Sequence, residues 1–469
     1  MNLLEISDEV FKKKIAIIND DGLKISYLQL DEFSKQLKAK IPPRSVIFSL
    51  NKNTLGSVVG YYSFIKNKVV PFMLEAKMDK SLIDNLILSY KPQYIWLPKE
   101  ISSAYSKASI IHSIFDYSLI KLESNEKIKV HNDLALLLST SGSTGSPKYV
   151  KISYCNIKSN ASSIAKYLYL DKEERPITTL PMSYSFGLSI INSHFQVGAT
   201  LLLTNFSIFE KEFWNFLKKE KATSLSGVPY TFEILKKLRF TKMSLPHLKT
   251  LTQAGGKMNL DLNKTFAEFC KEHKKRFIVM YGQTEATARM SYLPNEYSLS
   301  KLGSIGKAIP GGKFSLINES GKTIEKSDIS GELVYEGPNV SMGYLTCLGD
   351  LSVKDENNGK LFTGDLAKRD IDGFFYLSGR KKRFLKIFGN RINLDEIESL
   401  LKVVVDECAC VGNDDQVTIY VKDENKIALV HDYVSSKIGL HHSSFSIKHI
   451  KSIPKNASGK TIYSDLKLL

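Results

Sequence analysis

SVIFSLNKNTLGSVVGYYSFIKNKVVPFML, residues 45–74, decides the fold. Residues 45–50 form an apolar run of strand length, 54–65 read as a helix, and 69–74 return to a strand. Immediately beyond, Leu82, Ile83, Leu86 and Ile87 sit at helical spacing within residues 81–89, and 94–97 form another short strand. The same rhythm returns between residues 177 and 282. Strands are expected there at 177–181, 200–204, 223–228, 250–254 and 277–281, with helices between them at 209–219 and 260–271. Strand–helix alternation on this scale predicts an α/β fold of doubly wound parallel sheets, with ligands at the carboxyl ends of the strands.

After Gly303 the texture changes to short strands and Gly-rich turns. GELVYEGPN and RDIDGFFYLSGR are examples, and Asp372-Gly373 is a hairpin signal. Past Arg380 come the basic cluster Lys381-Lys382-Arg383 and a small mixed segment. Its one well-signalled helix has Asn393 as N-cap, Glu396 three residues on, and apolar Ile397, Leu400 and Leu401. The expected organisation is a large domain over residues 1–380 with a β-rich subdomain, a hinge near 381–383, and a small α+β domain over 384–469.

Composition narrows the function classes. Hydrophobic residues make up 43% and charged residues 24% of the 469, values of a soluble globular protein. The longest apolar candidates, such as residues 58–74, are broken by Lys66, Asn67 and Lys68, so no membrane insertion is expected. The N-terminal MNLLEISDEV lacks the order of a signal peptide, which predicts a cytoplasmic location. The five cysteines follow neither a redox nor a zinc pattern. Net charge is +16, but the lysines are spread along the chain and no nucleic-acid-binding motif accompanies them.

Residues 139–148, STSGSTGSPK, carry the first chemical signal. Thr140, Ser141, Ser143 and Thr144 offer hydroxyl donors, Gly142 and Gly145 let backbone amides approach, and Lys148 adds charge, a set suited to phosphate oxygens. The plainer alternative is a Ser/Gly turn. An apolar run at 134–138 before the loop and alternation at Val150 and Ile152 after it make the context strand–loop–strand. That is not the strand–loop–helix of a Walker loop. KNASGKT, residues 455–461, ends like a Walker loop, but Pro454 stands where glycine is needed.

Five motifs in order then resemble the superfamily of acyl-CoA synthetases, peptide-synthetase adenylation domains and luciferases. They are STSGSTGSPK, YGQTEAT (281–287), TGD (363–365), SGRKKRFLKIFGNRINLDEIE (378–398) and PKNASGK (454–460). The N-terminal ISYLQLDEFSKQL is similar to that family's opening helix. The resemblance implies an AMP-forming ligase that uses ATP and Mg²⁺ to make an acyl adenylate and passes the acyl group to a thiol. It implies that Glu285 holds the metal, Thr284 binds the α-phosphate, and Tyr281 with Gly282 packs on adenine opposite Gly255 and Gly256. Asp365, assisted by Arg380, would take the ribose hydroxyls. Lys460 would be the catalytic cation, Lys382 the hinge, and Gly389 would line the passage of the thiol. A positioned ammonium at Lys460 stabilises the charge that builds on the phosphoryl oxygens more in the transition state than in the ground state.

PMSYSFG, residues 181–187, resembles the family's aromatic gate, with Tyr184 where many acyl-CoA synthetases carry histidine. Gly187 follows Phe186 where amino-acid-activating members place an aspartate, which favours an acyl or aryl acid. Expected pocket walls are Tyr184, Phe186, Tyr230 and Ala286, along with Gly255, although core positions read the same way. The leading expectation for the acceptor is CoA; the alternatives are the phosphopantetheine of a separate acyl carrier protein or, in another class, a non-catalytic nucleotide-binding accessory with the same fold. The sequence assigns neither the acid nor an oligomeric state.

Overall fold

The computed structural model describes residues 12–105, 109–123, 128–139, 149–387, 390–413, 416–438, 441–456 and 459–467. They divide into two compact units. The first takes in the described residues of Met1–Thr140, Lys148–Lys313 and Glu336–Leu361; the second, those of Phe314–Tyr335 and Phe362–Leu469. This partition groups the β-rich segment with the C-terminal residues, whereas the sequence places a boundary at 381–383.

The first unit contains two large sheets. One has eight strands, in the order Tyr344–Leu345, Tyr149–Ser153, Leu134–Ser139, Val70–Glu75, Val46–Asn51, Tyr94–Pro98, Tyr117–Lys121 and Ser109–Ile114. Its four central strands, from Leu134–Ser139 to Tyr94–Pro98, are parallel, with Ile47 beside Pro71 and Leu50 beside Leu74. The edges are antiparallel. Short connections explain this: only Phe115 and Asp116 link two of the edge strands, and a two-residue hairpin cannot make parallel neighbours.

The second sheet has nine strands and the same logic. Ile15–Asn19, Leu201–Leu203, Pro176–Ile177, Ser224–Gly227, Thr250–Gln253 and Arg276–Tyr281 run parallel. Lys24–Ser26, Ser291–Tyr292 and Lys307–Ala308 close its edges antiparallel. The strand expected at 177–181 is only Pro176–Ile177. Pro181, which lacks an N–H to offer a ladder, begins a turn in which the Tyr184 amide bonds to the Pro181 carbonyl at 3.1 Å.

The helix Leu55–Lys66 shows why residues 45–74 were decisive. Every position from Leu55 to Ile65 is buried, the mark of an apolar helix packed on more than one side. Its glycines let it approach the sheet. A Cβ on Gly60 would lie 2.2 Å from the Trp96 indole nitrogen, which itself donates to the Gly56 carbonyl at 2.9 Å. Tyr61 on this helix donates to Asn192 at 2.7 Å, tying it to the helix Ser185–Gln196.

His194, near the end of that second helix, is 4% exposed. Its Nδ1 donates to the Ile190 carbonyl at 2.8 Å, and its Nε2 meets no partner among the described residues. Burial, with Arg289 as a lesser cause, pulls its pKa down from 6.5 to about 4. Depression in the folded state means the unfolded chain takes up the proton first, so stability is lost as pH falls from 6.5 towards 4. The loss is at most roughly 3 kcal/mol. The melting temperature of the wild type should therefore fall more steeply across that window than that of His194→Gln. Parallel pH profiles would contradict the assignment.

The second unit combines the four-stranded sheet Lys313–Ile317, Gly331–Glu336, Lys360–Arg369 and Phe375–Arg380 with a three-stranded sheet, Cys408–Asn413, Gln416–Val421 and Phe445–His449. Gly373 takes φ +81° in the hairpin at Asp372-Gly373, the left-handed conformation that glycine tolerates best. The helix Leu394–Leu401 buries Leu394, Ile397 and Leu401 against Val417, Ile419 and Val421, while Leu400 stays 40% exposed. A two-stranded ribbon, Phe384–Ile387 with Asn390–Asn393, leads into it.

Candidate active site

Four neighbouring parallel strands of the nine-stranded sheet deliver the site residues of the first unit at their carboxyl ends. Arg276–Tyr281 ends at Tyr281, Thr250–Gln253 leads to Gly255 and Gly256, Ser224–Gly227 leads to Tyr230, and Pro176–Ile177 leads to Tyr184 and Phe186. Ligands of open α/β sheets bind on this side.

The turn after Tyr281 is tightly constrained. A Cβ on Gly282 would stand 1.6 Å from the Ala288 carbonyl oxygen, so no larger residue fits without backbone movement. Thr284–Ala286 form one 3₁₀ turn, and positive φ at Thr287 and Ala288 reverses the chain. Asn339 pins it, donating to the Ala286 carbonyl at 2.8 Å while its own carbonyl accepts from the Thr287 hydroxyl at 2.7 Å. The result holds Thr284 and Glu285 half-buried. The Thr284 and Ser185 hydroxyls are 3.2 Å apart. The Tyr344 phenol donates to Glu285 Oε1 at 2.8 Å, and the Ser341 amide donates to the Glu285 carbonyl at 2.9 Å. Burial and the Glu285 carboxylate together raise the Tyr344 pKa, which keeps the phenol a donor.

Tyr184 caps the start of the helix Ser185–Gln196 without a side-chain bond to it. Its phenol lies over Gly255: a Cβ there would be 2.7 Å from the hydroxyl oxygen, and φ of +86° also favours glycine. Burial pushes the Tyr184 phenol up to about 12. The Tyr184 and Phe186 rings meet edge to face at 6.4 Å. Gly256 packs on Pro229, whose neighbour Tyr230 is 48% exposed. Ala286 is wholly buried. Thus the first unit brings Tyr184, Phe186, Gly255, Thr284 and Glu285 into one neighbourhood of turns.

In the second unit, Asp365 and Arg380 face each other across paired strands, with Arg380 Nε 3.2 Å from Asp365 Oδ1. Asp365 is 5% exposed and its partner largely exposed, so the carboxylate is held by a cation that water still reaches. Lys460 is half-buried and follows Gly459, which has φ +76°. Its amide accepts order from the Asn456 side chain, donating to Oδ1 at 3.0 Å, and the Asn456 amide donates to the Lys460 carbonyl at 2.9 Å. Lys382 lies in the 3₁₀ turn Lys381–Arg383. Thr140, Ser141, Gly142, Ser143, Thr144, Gly145, Lys148 and Gly389 lie outside the described residues. The strands that flank the first seven of these do pair antiparallel, Ser139 with Tyr149, as the strand–loop–strand reading requires.

Sequence reading missed Ser185, Asn339 and Tyr344. Tyr344 lies 59 residues from the carboxylate it contacts, and SMGYL carries no local pattern that announces the bond. Ser185 sits inside a segment whose aromatics drew the attention.

Residues 4–345 match the family model described as AMP-binding enzyme. The chain belongs to that family. It is 28% identical over 343 residues to a 2-succinylbenzoate–CoA ligase of Bacillus licheniformis, spanning 70% of this chain and 69% of that one. To a long-chain-fatty-acid–CoA ligase of Bacillus subtilis it is 26% identical over 339 residues, 68% of this chain and 59% of the other. Among solved structures, O-succinylbenzoate Coenzyme A Synthetase from Bacillus subtilis in complex with ATP and magnesium ion superposes with a TM-score of 0.77 at 22% identity, covering 97% of each chain. ATP-bound MatB from Rhodopseudomonas palustris gives 0.79 at 20% identity, over 100% of this chain and 99% of that one. These structures establish the α/β fold with its smaller second part. No helix among the described residues is long and apolar enough to cross a membrane.

Glu285 suits a magnesium site. Mg²⁺ is usually held by one or two carboxylates together with substrate phosphates, and Glu285 offers a positioned oxygen ligand whose partner Tyr344 is neutral. Tyr344→Phe should raise the Mg²⁺ concentration needed for half-maximal activity several-fold, the effect of about 1 kcal/mol for a lost hydrogen bond, with kcat at saturating metal little changed. An unaltered metal titration would rule this out.

Proposed function

We propose that the protein is an AMP-forming acid–thiol ligase that adenylates a carboxylic acid with ATP and then forms its CoA thioester. The observation that carries it is the Tyr281–Thr287 turn, which fixes Thr284 and Glu285 at the strand ends of an AMP-binding enzyme. In the first half-reaction the acid's carboxylate oxygen attacks the α-phosphorus and the bond to pyrophosphate breaks. Thr284 donates to an α-phosphate oxygen, and Lys460 supplies the cation that offsets the charge growing there. Glu285 would hold a Mg²⁺ ion, which would supply positive charge against the triphosphate. Asp365 accepts from the ribose hydroxyls, and Tyr281 and Gly256 bound the base. In the second half-reaction a thiol sulfur attacks the acyl carbon and AMP leaves. The hinge at Lys382 turns residues 384–469 between the two steps, separating groups that cannot share one place.

The acid lies against Tyr184 and Phe186, with Tyr230 at the rim. Relatives named for 2-succinylbenzoate, long-chain fatty acids and oxalate support the reading of the substrate as an acyl or aryl acid. A cytoplasmic setting belongs to the same reading. The acceptor is tested by mass: with ATP, an acid that turns over and CoA, the thioester should accumulate together with AMP. Product on an added phosphopantetheinylated carrier protein, with none on CoA, would replace CoA by the carrier.

A further inference from the structure

Lys151 is a buried charge that the reaction above does not use. It stands in the strand Tyr149–Ser153, all five of whose residues are buried, and its own side chain is 0% exposed. Its Nζ lies 2.9 Å from Glu356 Oε2 and 3.4 Å from the Asp350 carbonyl oxygen. Taking an ammonium out of water can cost more than one ion pair returns, so the pair is weak evidence for stability. Val150 and Ile152 on either side are apolar, and an apolar residue at 151 would fill the strand without that cost. What the pair does supply is a fixed place for the Glu356 carboxylate.

That place is against residues 341–344, the segment that holds Glu285 by its backbone through Ser341 and by its carboxylate through Tyr344. Lys151 grips the middle of this segment twice. Its amide donates to the Gly343 carbonyl and its carbonyl accepts from the Met342 amide, both at 2.9 Å. Its side chain holds Glu356, whose amide donates to the Met342 carbonyl at 3.2 Å. Gly343 has φ +109°, and a Cβ there would stand 2.5 Å from Glu356 Oε2, the same oxygen that Lys151 holds. Tyr344 is the next residue. We propose that Lys151 and Glu356 are positioning residues for the metal ligand: their ion pair fixes Met342 and Gly343, and with them the direction in which the Tyr344 phenol meets Glu285. Hydrogen-bonded partners that orient a ligating carboxylate in this way raise its affinity for a metal ion. The role is exerted through Tyr344 and not by contact with metal or substrate. It rests on the reading of Glu285 as the Mg²⁺ ligand.

Metal binding itself is the readout. Mn²⁺, which substitutes for Mg²⁺ and is followed by electron paramagnetic resonance, is titrated into the full-length protein loaded with one equivalent of a non-hydrolysable ATP analogue. Glu356→Gln, and the apolar pair Lys151→Met with Glu356→Leu, should each weaken Mn²⁺ binding several-fold, as Tyr344→Phe should, the effect of about one lost hydrogen bond. Adding Glu356→Gln to Tyr344→Phe should weaken it no further, because both act through the same bond. The apolar pair strands no buried charge, so it decides the matter should Glu356→Gln fail to fold. Wild-type affinity in the apolar pair, or losses that multiply when Glu356→Gln and Tyr344→Phe are combined, overturns the proposal and leaves Glu285 as the ligand. Wild-type affinity in Glu285→Gln refutes the metal role of Glu285 and the proposal with it.

Discussion

Lys460→Ala is expected to lower acid-dependent ATP–pyrophosphate exchange by roughly 10²–10³-fold, the usual effect of deleting one donor that stabilises transition-state charge. The loss should fall on kcat, since the interaction strengthens as charge moves onto the phosphoryl oxygens. Folding should be unaffected. The turn that presents Lys460 is made by Asn456, Gly459 and backbone groups, none of which the substitution removes. Transfer of the acyl group from chemically made acyl adenylate to CoA should survive in the variant, because the role proposed for the lysine is confined to the first half-reaction. A variant slowed equally in both half-reactions would point to a structural role instead.

The second large effect is on stability. Arg383 and Glu398 form a nearly buried pair, with side-chain exposures of 13% and 14% and Nη2 2.6 Å from Oε1. Asp395 takes the Arg383 Nε, the Tyr463 ring lies 3.7 Å from the guanidinium carbon, and the Tyr463 phenol and the Cys410 amide both donate to Glu398. Burial pushes the Glu398 carboxyl up despite these partners, so its charge depends on Arg383. Arg383→Ala strands that charge and should cost about 3–5 kcal/mol within the second unit. Amide exchange at Val417–Val421 reports it directly, as faster exchange with the first unit's strands unchanged. Adding Glu398→Leu removes the stranded charge and should restore much of the protection. Unchanged exchange in Arg383→Ala would show that the pair holds nothing together.

That cluster also shows where sequence reading falls short. SGRKKRFLKIFGNRINLDEIE was legible as a family motif, and its helix appears as Leu394–Leu401 with Ile397 and Leu401 buried as expected and Leu400 exposed instead. Yet Arg383, Asp395 and Glu398 fasten the second unit internally, together with Tyr463, 65 residues beyond Glu398. Spacing along a chain does not reveal which charges turn inward. In the first unit the alternation of residues 45–98 translates almost directly into strands and helices, because buried βαβ elements are continuous apolar runs. The antiparallel edges were not legible, since they follow from loop lengths rather than strand composition. The site divides similarly. Thr284, Glu285 and Asp365 announce themselves through motifs, whereas Tyr344 and Lys151 matter through contacts that only folding creates. Lys151 in particular reads in sequence as one more basic residue among 65.

The most direct test of adenylation is ATP–pyrophosphate exchange over a panel of acyl, aryl and dicarboxylic acids, with Mg²⁺ and with Lys460→Ala and Glu285→Gln alongside. The account predicts exchange that requires a particular acid and magnesium and nearly disappears in both variants. Exchange with no acid at all, or full activity in Lys460→Ala, would contradict it.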